Sequence, residues 1–97
     1  MIPVKRLEIV VAAPHSERVT DLLGRHGLTG WTLLPGATGA GERGRQHGDE
    51  ITGVSSNHLL LTTCPPEALD ALLEELRPIL TRCGGMCLVS DATWLRH

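Results

Sequence analysis

Two stretches of strand–helix–strand character, separated by eighteen residues almost empty of apolar side chains, set the outline of what this 97-residue chain can become. The first stretch opens over residues 4–12, where Leu7, Ile9 and Val11 share one parity and Glu8 stands on the other, the alternation of a strand. Pro14 punctuates it, and Ser16 is placed to cap a helix. In that helix Val19, Leu22 and Leu23 form the apolar face, Asp21 and Arg25 pair at i,i+4, and Gly27 supplies a left-handed stop. Residues 30–35 read as a second strand. The second stretch begins with "HLLLTTC", residues 58–64, and passes into a helix opened by Pro65 and Pro66, where a missing N–H costs little. Leu69, Leu72, Leu73, Leu76, Ile79 and Leu80 recur at helical spacing on one face, and Pro78 is expected to kink the last turns. Gly84 and Gly85 turn the chain into a strand, "MCLVSD", and the tail "ATWLRH" reads as a short further edge strand.

The order is β-α-β-β-α-β, which predicts an α+β, ferredoxin-like sandwich: one antiparallel sheet with two helices on one face, a single domain over residues 1–97. The strands carry apolar residues on both parities, as at Ile9 and Val10, Leu33 and Leu34, Leu59 to Leu61, and Leu88 and Val89. One sheet face meets the helices, so the surplus on the other predicts an oligomer. Size points the same way, because a chain this short buries only about 60–65% of its unfolded surface. With no Phe or Tyr, and only Trp31 and Trp94 as aromatics, Leu and Val must fill the interior. Trp31 reads as an anchor in the core or at a subunit interface, and secondarily as a wall for a flat ligand.

Charge and composition exclude several classes. A formal charge of −2 without a basic block argues against nucleic acid, and the strands lack the exposed aromatics that an RNA-recognition domain stacks on bases. No apolar run is long enough to span a bilayer, and the alternating start with Glu8 reads as a strand rather than a leader, which predicts a cytoplasmic protein. Cys64, Cys83 and Cys87 are an odd set, against a disulfide framework. Cys83 and Cys87 stand as half a metal site, as a redox pair, or as two thiols flanking a turn; the spacing favours the last, and no metal is expected. The five histidines do not cluster, and Asp49 and Glu50 lack the apolar surroundings that raise a general acid's pKa, so no catalytic residue is assigned.

The eighteen residues 36–53 hold six glycines, Arg43, Arg45, three acids and one large apolar residue, Ile51. A connection between adjacent antiparallel strands needs about two to five residues, so this excess has no folding reason. Here the residues resemble a family. "GLTGWTLLPGATGAGERG", residues 27–44, is similar to the strand and Gly-x-Gly turn leading into the T-loop of PII signal-transduction proteins. The resemblance continues through "TTCPP", "CGGM" and "LVSD", in order along nearly the whole chain. It is nearest the PII-like branches associated with carboxysomes and bicarbonate transporters.

The resemblance implies a non-enzymatic homotrimer that binds ADP or AMP between subunits, senses bicarbonate, and regulates a partner protein through a T-loop at about residues 36–55. It implies carboxysome association as one location. Thr32, Gly39 and Gly41 match positions that approach the nucleotide, Leu61 and Thr63 match positions beside adenine, and Gly84 and Gly85 match the B-loop that cradles phosphates. Arg96 falls near the C-terminal arginines used on phosphates, and both glycine turns are expected at one edge of the subunit. Met86 stands where those proteins carry a lysine, which favours AMP or ADP over ATP and carbon over nitrogen signalling. From the residues alone, Gly84 and Gly85 are equally a plain turn, and Arg43 and Arg45 are either anion donors or solvated loop residues. The mobile loop is expected to order at its base when nucleotide binds. The alternative is a ferredoxin-like regulatory module for another metabolite such as an amino acid, which leaves the long loop without a purpose.

Overall fold

The computed structural model describes residues 1–41, 44–46 and 56–96. The main sheet has the order β2-β5-β1-β6, built from β1 (Ile2–Ala12), β2 (Trp31–Ala37), β5 (Asn57–Cys64) and β6 (Met86–Trp94), with every neighbouring pair antiparallel. Two helices, α1 (Ser16–Arg25) and α2 (Leu69–Cys83), cover one face, so the chain is an α+β ferredoxin-like sandwich. Two short strands, β3 (Gly39–Gly41) and β4 (Gly44–Gln46), form a separate antiparallel ribbon after β2.

Strand parity decides which residues reach the core. Leu7, Ile9 and Val11 of β1 are fully buried, and Leu60 and Cys64 lie on the same face of β5. Against them pack Val19, Leu22 and Leu23 of α1 and Leu72 and Leu76 of α2. These are the apolar positions that helical spacing singles out, and each such side chain contributes about 1.5–3 kcal/mol on burial. The opposite face carries Leu34, Leu61, Met86 and Leu88, which are 53%, 39%, 44% and 56% exposed. Arg6 and Glu8 pair on that same face at 2.7 Å.

Local departures from the expected boundaries have physical causes. Ser16 does not cap α1: Ala13–His15 forms a 3-10 turn, His15 occupies the cap, and the Ser16 hydroxyl donates to the Ala13 carbonyl at 2.9 Å. That hydroxyl has one proton, so the His58 Nδ1 contact at 3.0 Å has His58 as donor and fixes its tautomer. Gly27, at φ 80°, is the left-handed stop after α1. A second 3-10 turn, Pro66–Ala68, precedes α2, and the helix continues past Pro78 to Cys83. The tail is no separate edge strand: β6 runs unbroken to Trp94 because the start of β1 pairs with it, Ile2 opposite Trp94. Strand β2 extends two residues beyond Pro35, with a register shift at Gly36 (φ 78°) that redirects the chain into the long connection. Trp31 is not a core residue. It lies opposite Thr62 on an edge strand and is 43% exposed.

Candidate functional site

The expected ligand residues fall into two groups. Thr32 of β2 stands directly across from Leu61 of β5, and Thr63 lies two residues farther along the same face. Cross-strand neighbours of this kind have Cβ atoms about 4.5–5.5 Å apart, so Thr32 and Leu61 form one surface. The β3–β4 ribbon follows from the same edge, with Gly39 opposite Gln46 and Gly41 opposite Gly44, and its backbone carries Arg45 opposite Ala40. The connection at residues 36–55 is therefore not structureless in its first half. Arg43, with most of the rest of that connection, lies outside the described residues, as does His97.

Gly84 and Gly85 form the second group, at the start of β6. The expectation that both glycine turns share one edge does not hold. Strands β2 and β6 are the two outer strands of the sheet, three strand spacings apart, or about 14 Å. The turns do share one end of the sheet, since Leu34, Leu59, Val10 and Met86 lie in a single row. Arg96 belongs to neither group. It follows Trp94, the opposite end of β6, which itself lies about 26 Å along the strand from Met86.

The Gly84–Gly85 turn is occupied by the needs of the fold. Gly84 takes φ 74° to end α2, and its N–H donates to the Leu80 carbonyl at 2.8 Å. The Gly85 N–H donates to the same oxygen at 3.1 Å. A Cβ on Gly85 would sit 2.6 Å from the Val10 carbonyl oxygen, so only glycine lets the turn approach β1 so closely. Neither amide is left for an anion in this conformation.

Beside the turn, α2 and β6 enclose an open cleft of about 430 Å³ whose lining includes Leu73, Arg77, Leu80, Gly84, Gly85 and Met86. Arg77 gave no signal in the sequence beyond its place one turn after Leu73 on α2. Two of the thiols, Cys64 and Cys87, are poorly suited to reaction. Burial raises Cys87 to about 11, with Cys64 nearby adding to the rise, and burial likewise pushes Cys64 up. Cys64, Cys83 and Cys87 are all free. Among the described residues, no three His, Cys, Asp or Glu side chains group as a metal site would require. No helix among them is long and apolar enough to cross a membrane.

Comparison with known proteins finds a match over residues 4–97 to the family described as nitrogen regulatory protein P-II. No match is found among curated proteins. Among solved structures, the chain is similar to CPII from Thiomonas intermedia K12, a nitrogen regulatory PII-like protein bound to ADP, AMP and bicarbonate. That likeness has 30% identity and a TM-score of 0.88, covering 97% of this chain and 90% of that one. A second CPII structure, bound to ADP and bicarbonate, matches at 31% identity and a TM-score of 0.85, with 97% and 90% covered. The Bacillus subtilis GlnK–ATP complex shares the fold at 17% identity and a TM-score of 0.64, over 94% of this chain and 84% of that one.

Proposed function

The chain belongs to the nitrogen regulatory protein P-II family, whose members are non-enzymatic signalling proteins, and on that premise we propose that it is an adenine-nucleotide sensor of inorganic carbon. It binds ADP or AMP between the subunits of a homotrimer, takes bicarbonate as a second ligand, and controls a partner protein through the connection at residues 36–55. Cytoplasmic placement with carboxysome association belongs to the same proposal.

The observation that carries this reading is the division of the candidate ligand residues between opposite sheet edges, Thr32, Leu61 and Thr63 toward β2 and Gly84 and Gly85 at β6. One subunit cannot bring them together. Identical copies joined head to tail, β2 edge to β6 edge, form a closed ring with one composite cleft at each boundary. The apolar residues Leu34, Leu61 and Leu88 on the open face are the surface such a ring would cover. CPII, bound to ADP, AMP and bicarbonate, supports the choice of ligands.

Light scattering and calorimetry test the proposal together. The expected mass is near three times 10.5 kDa, with ADP and AMP bound more tightly than ATP and bicarbonate tightening ADP. A monomer mass across micromolar concentrations overturns the composite site. ATP binding tenfold tighter than ADP, about 1.4 kcal/mol, overturns the charge argument built on Met86. Replacing Arg43 and Arg45 with alanine should weaken the bicarbonate–ADP coupling and leave the mass unchanged; intact coupling removes the anion role from these two residues.

A further inference from the structure

A phosphate at the α2–β6 turn needs a donor that the turn itself does not offer. The amides of Gly84 and Gly85 both serve the Leu80 carbonyl, and the next side chain, Met86, is apolar. Arg96 lies beyond the far end of β6, a strand about 26 Å long from Met86 to Trp94. The cleft beside the turn holds such a donor. Its volume of about 430 Å³ is within the range of small-molecule sites, about 300–1,000 Å³. Arg77 is the one charged side chain among the described residues that line it. Arg6 and Arg25 are held by Glu8 and Glu75, whereas Arg77 forms no ion pair with any described residue.

We infer that Arg77 is the anion anchor of the α2–β6 cleft, binding the nucleotide phosphate nearest the turn and leaving the distal position at Met86 without a cation; the inference rests on the adenine-nucleotide reading above. A guanidinium presents a planar fork of donors that a phosphate accepts in bidentate fashion, and it stays charged at every working pH. Leu73 and Leu80 on the same helix flank it with apolar surface, which reduces competition from water. Among the described residues, no acidic side chain lines the cleft to oppose an anion there. The position also selects among ligands, because a cation at this place rewards a phosphate and does nothing for the bare nucleoside.

The test is calorimetric titration of the whole protein and its Arg77→Gln and Arg77→Lys variants with ADP, AMP and adenosine, with Arg18→Gln on α1 as a control. Arg77→Gln should weaken ADP at least tenfold and adenosine less than twofold, Arg77→Lys should recover part of the loss, and Arg18→Gln should match wild type. The ionic-strength dependence of ADP affinity should become shallower in Arg77→Gln, because one screened charge pair is gone. Melting curves report whether each variant folds, and Arg77→Lys keeps the charge and stem if the glutamine variant does not. ADP affinity in Arg77→Gln within twofold of wild type overturns the inference and leaves the nucleotide reading standing. Equal losses for ADP and adenosine also overturn it, since Arg77 would then act on the cleft's shape. Wild-type protein that binds neither ADP nor AMP overturns the nucleotide reading first, and this inference with it.

Discussion

Substituting Gly85 with alanine separates the fold's demand for glycine from any ligand's demand. The added Cβ would lie 2.6 Å from the Val10 carbonyl oxygen, 2.8 Å from Val11 Cγ1 and 3.0 Å from Leu80 Cδ2. The Leu80 methyl can rotate away. The Val10 oxygen cannot, because β1 is paired on both sides, to β5 and β6. Restoring an ordinary carbon–oxygen contact of about 3.3 Å needs a backbone shift of roughly 0.7 Å. Overpacking typically costs about 1–3 kcal/mol, and a fixed backbone atom puts this case in the upper half. For a domain of this size that is a loss of roughly 8–24 °C in melting temperature. Gly24→Ala is the matched control, since nothing lies within 4 Å of its would-be Cβ in helix α1, and it should gain about 0.5–1 kcal/mol. Urea midpoints at fixed protein concentration, without nucleotide, give both numbers. A Gly85→Ala protein within about 0.5 kcal/mol of wild type would refute the steric reasoning, and would return this glycine to a purely ligand-binding role.

Cys87 predicts an alkaline weakness. Burial pushes its thiol up from the ordinary 9.0 to about 11 in the fold, so above pH 9 the unfolded chain loses this proton first. The stabilisation is complete below pH 9 and fades as pH rises toward 11; Cys87→Ala should flatten the fall in melting temperature over that window, and an unchanged slope would count against it. Leu88→Asp on the open sheet face should leave a folded chain of monomer mass, because Leu88 is already 56% exposed in the isolated subunit; a trimer mass for this variant would contradict the proposed burial of that face. Dilution monitored by mass should show the oligomer persisting to lower concentration with ADP present than without it, and ADP-independent dissociation would sever the ligand from the subunit boundary.

What could be read from the residues was whatever local periodicity controls. The stripe of α2 was legible because Leu72 and Leu76 repeat at helical spacing and nothing interrupts it. Likewise Leu7, Ile9 and Val11 declared the buried face of β1 by parity alone. The Ser16 assignment failed because a 3-10 turn at Ala13–His15 shifted the cap by one residue, a choice that depends on tertiary packing. The end of β6 was misread because only the pairing of Ile2 with Trp94, residues at the two ends of the chain, extends the strand that far. Arg77 was invisible for the same reason, since its significance comes from the neighbouring β6 and not from its helix. Most telling is the glycine pair of turns: each was found locally, but the strand order β2-β5-β1-β6 that puts them on opposite edges is a non-local fact.

That strand order also links assembly to ligand binding in the proposed ring. A ligand held by residues of two copies binds the assembled state and not the separate subunits, so by linkage it must stabilise assembly. At a free concentration one hundred times its dissociation constant, a ligand adds about 2.7 kcal/mol per site. The open face sets the scale against which this acts. Leu34, Leu61 and Leu88 favour association, but the Arg6–Glu8 pair lies among them and costs desolvation wherever it is covered. An interface weakened by a buried ion pair is one whose closure a bound nucleotide can still influence. A uniformly apolar face would close irrespective of ligand and leave the sensor nothing to report at the subunit boundary. In the proposed ring, an ion pair set among the exposed leucines and two turns on opposite edges would serve the same end, making the occupancy of the cleft and the geometry of the ring a single equilibrium.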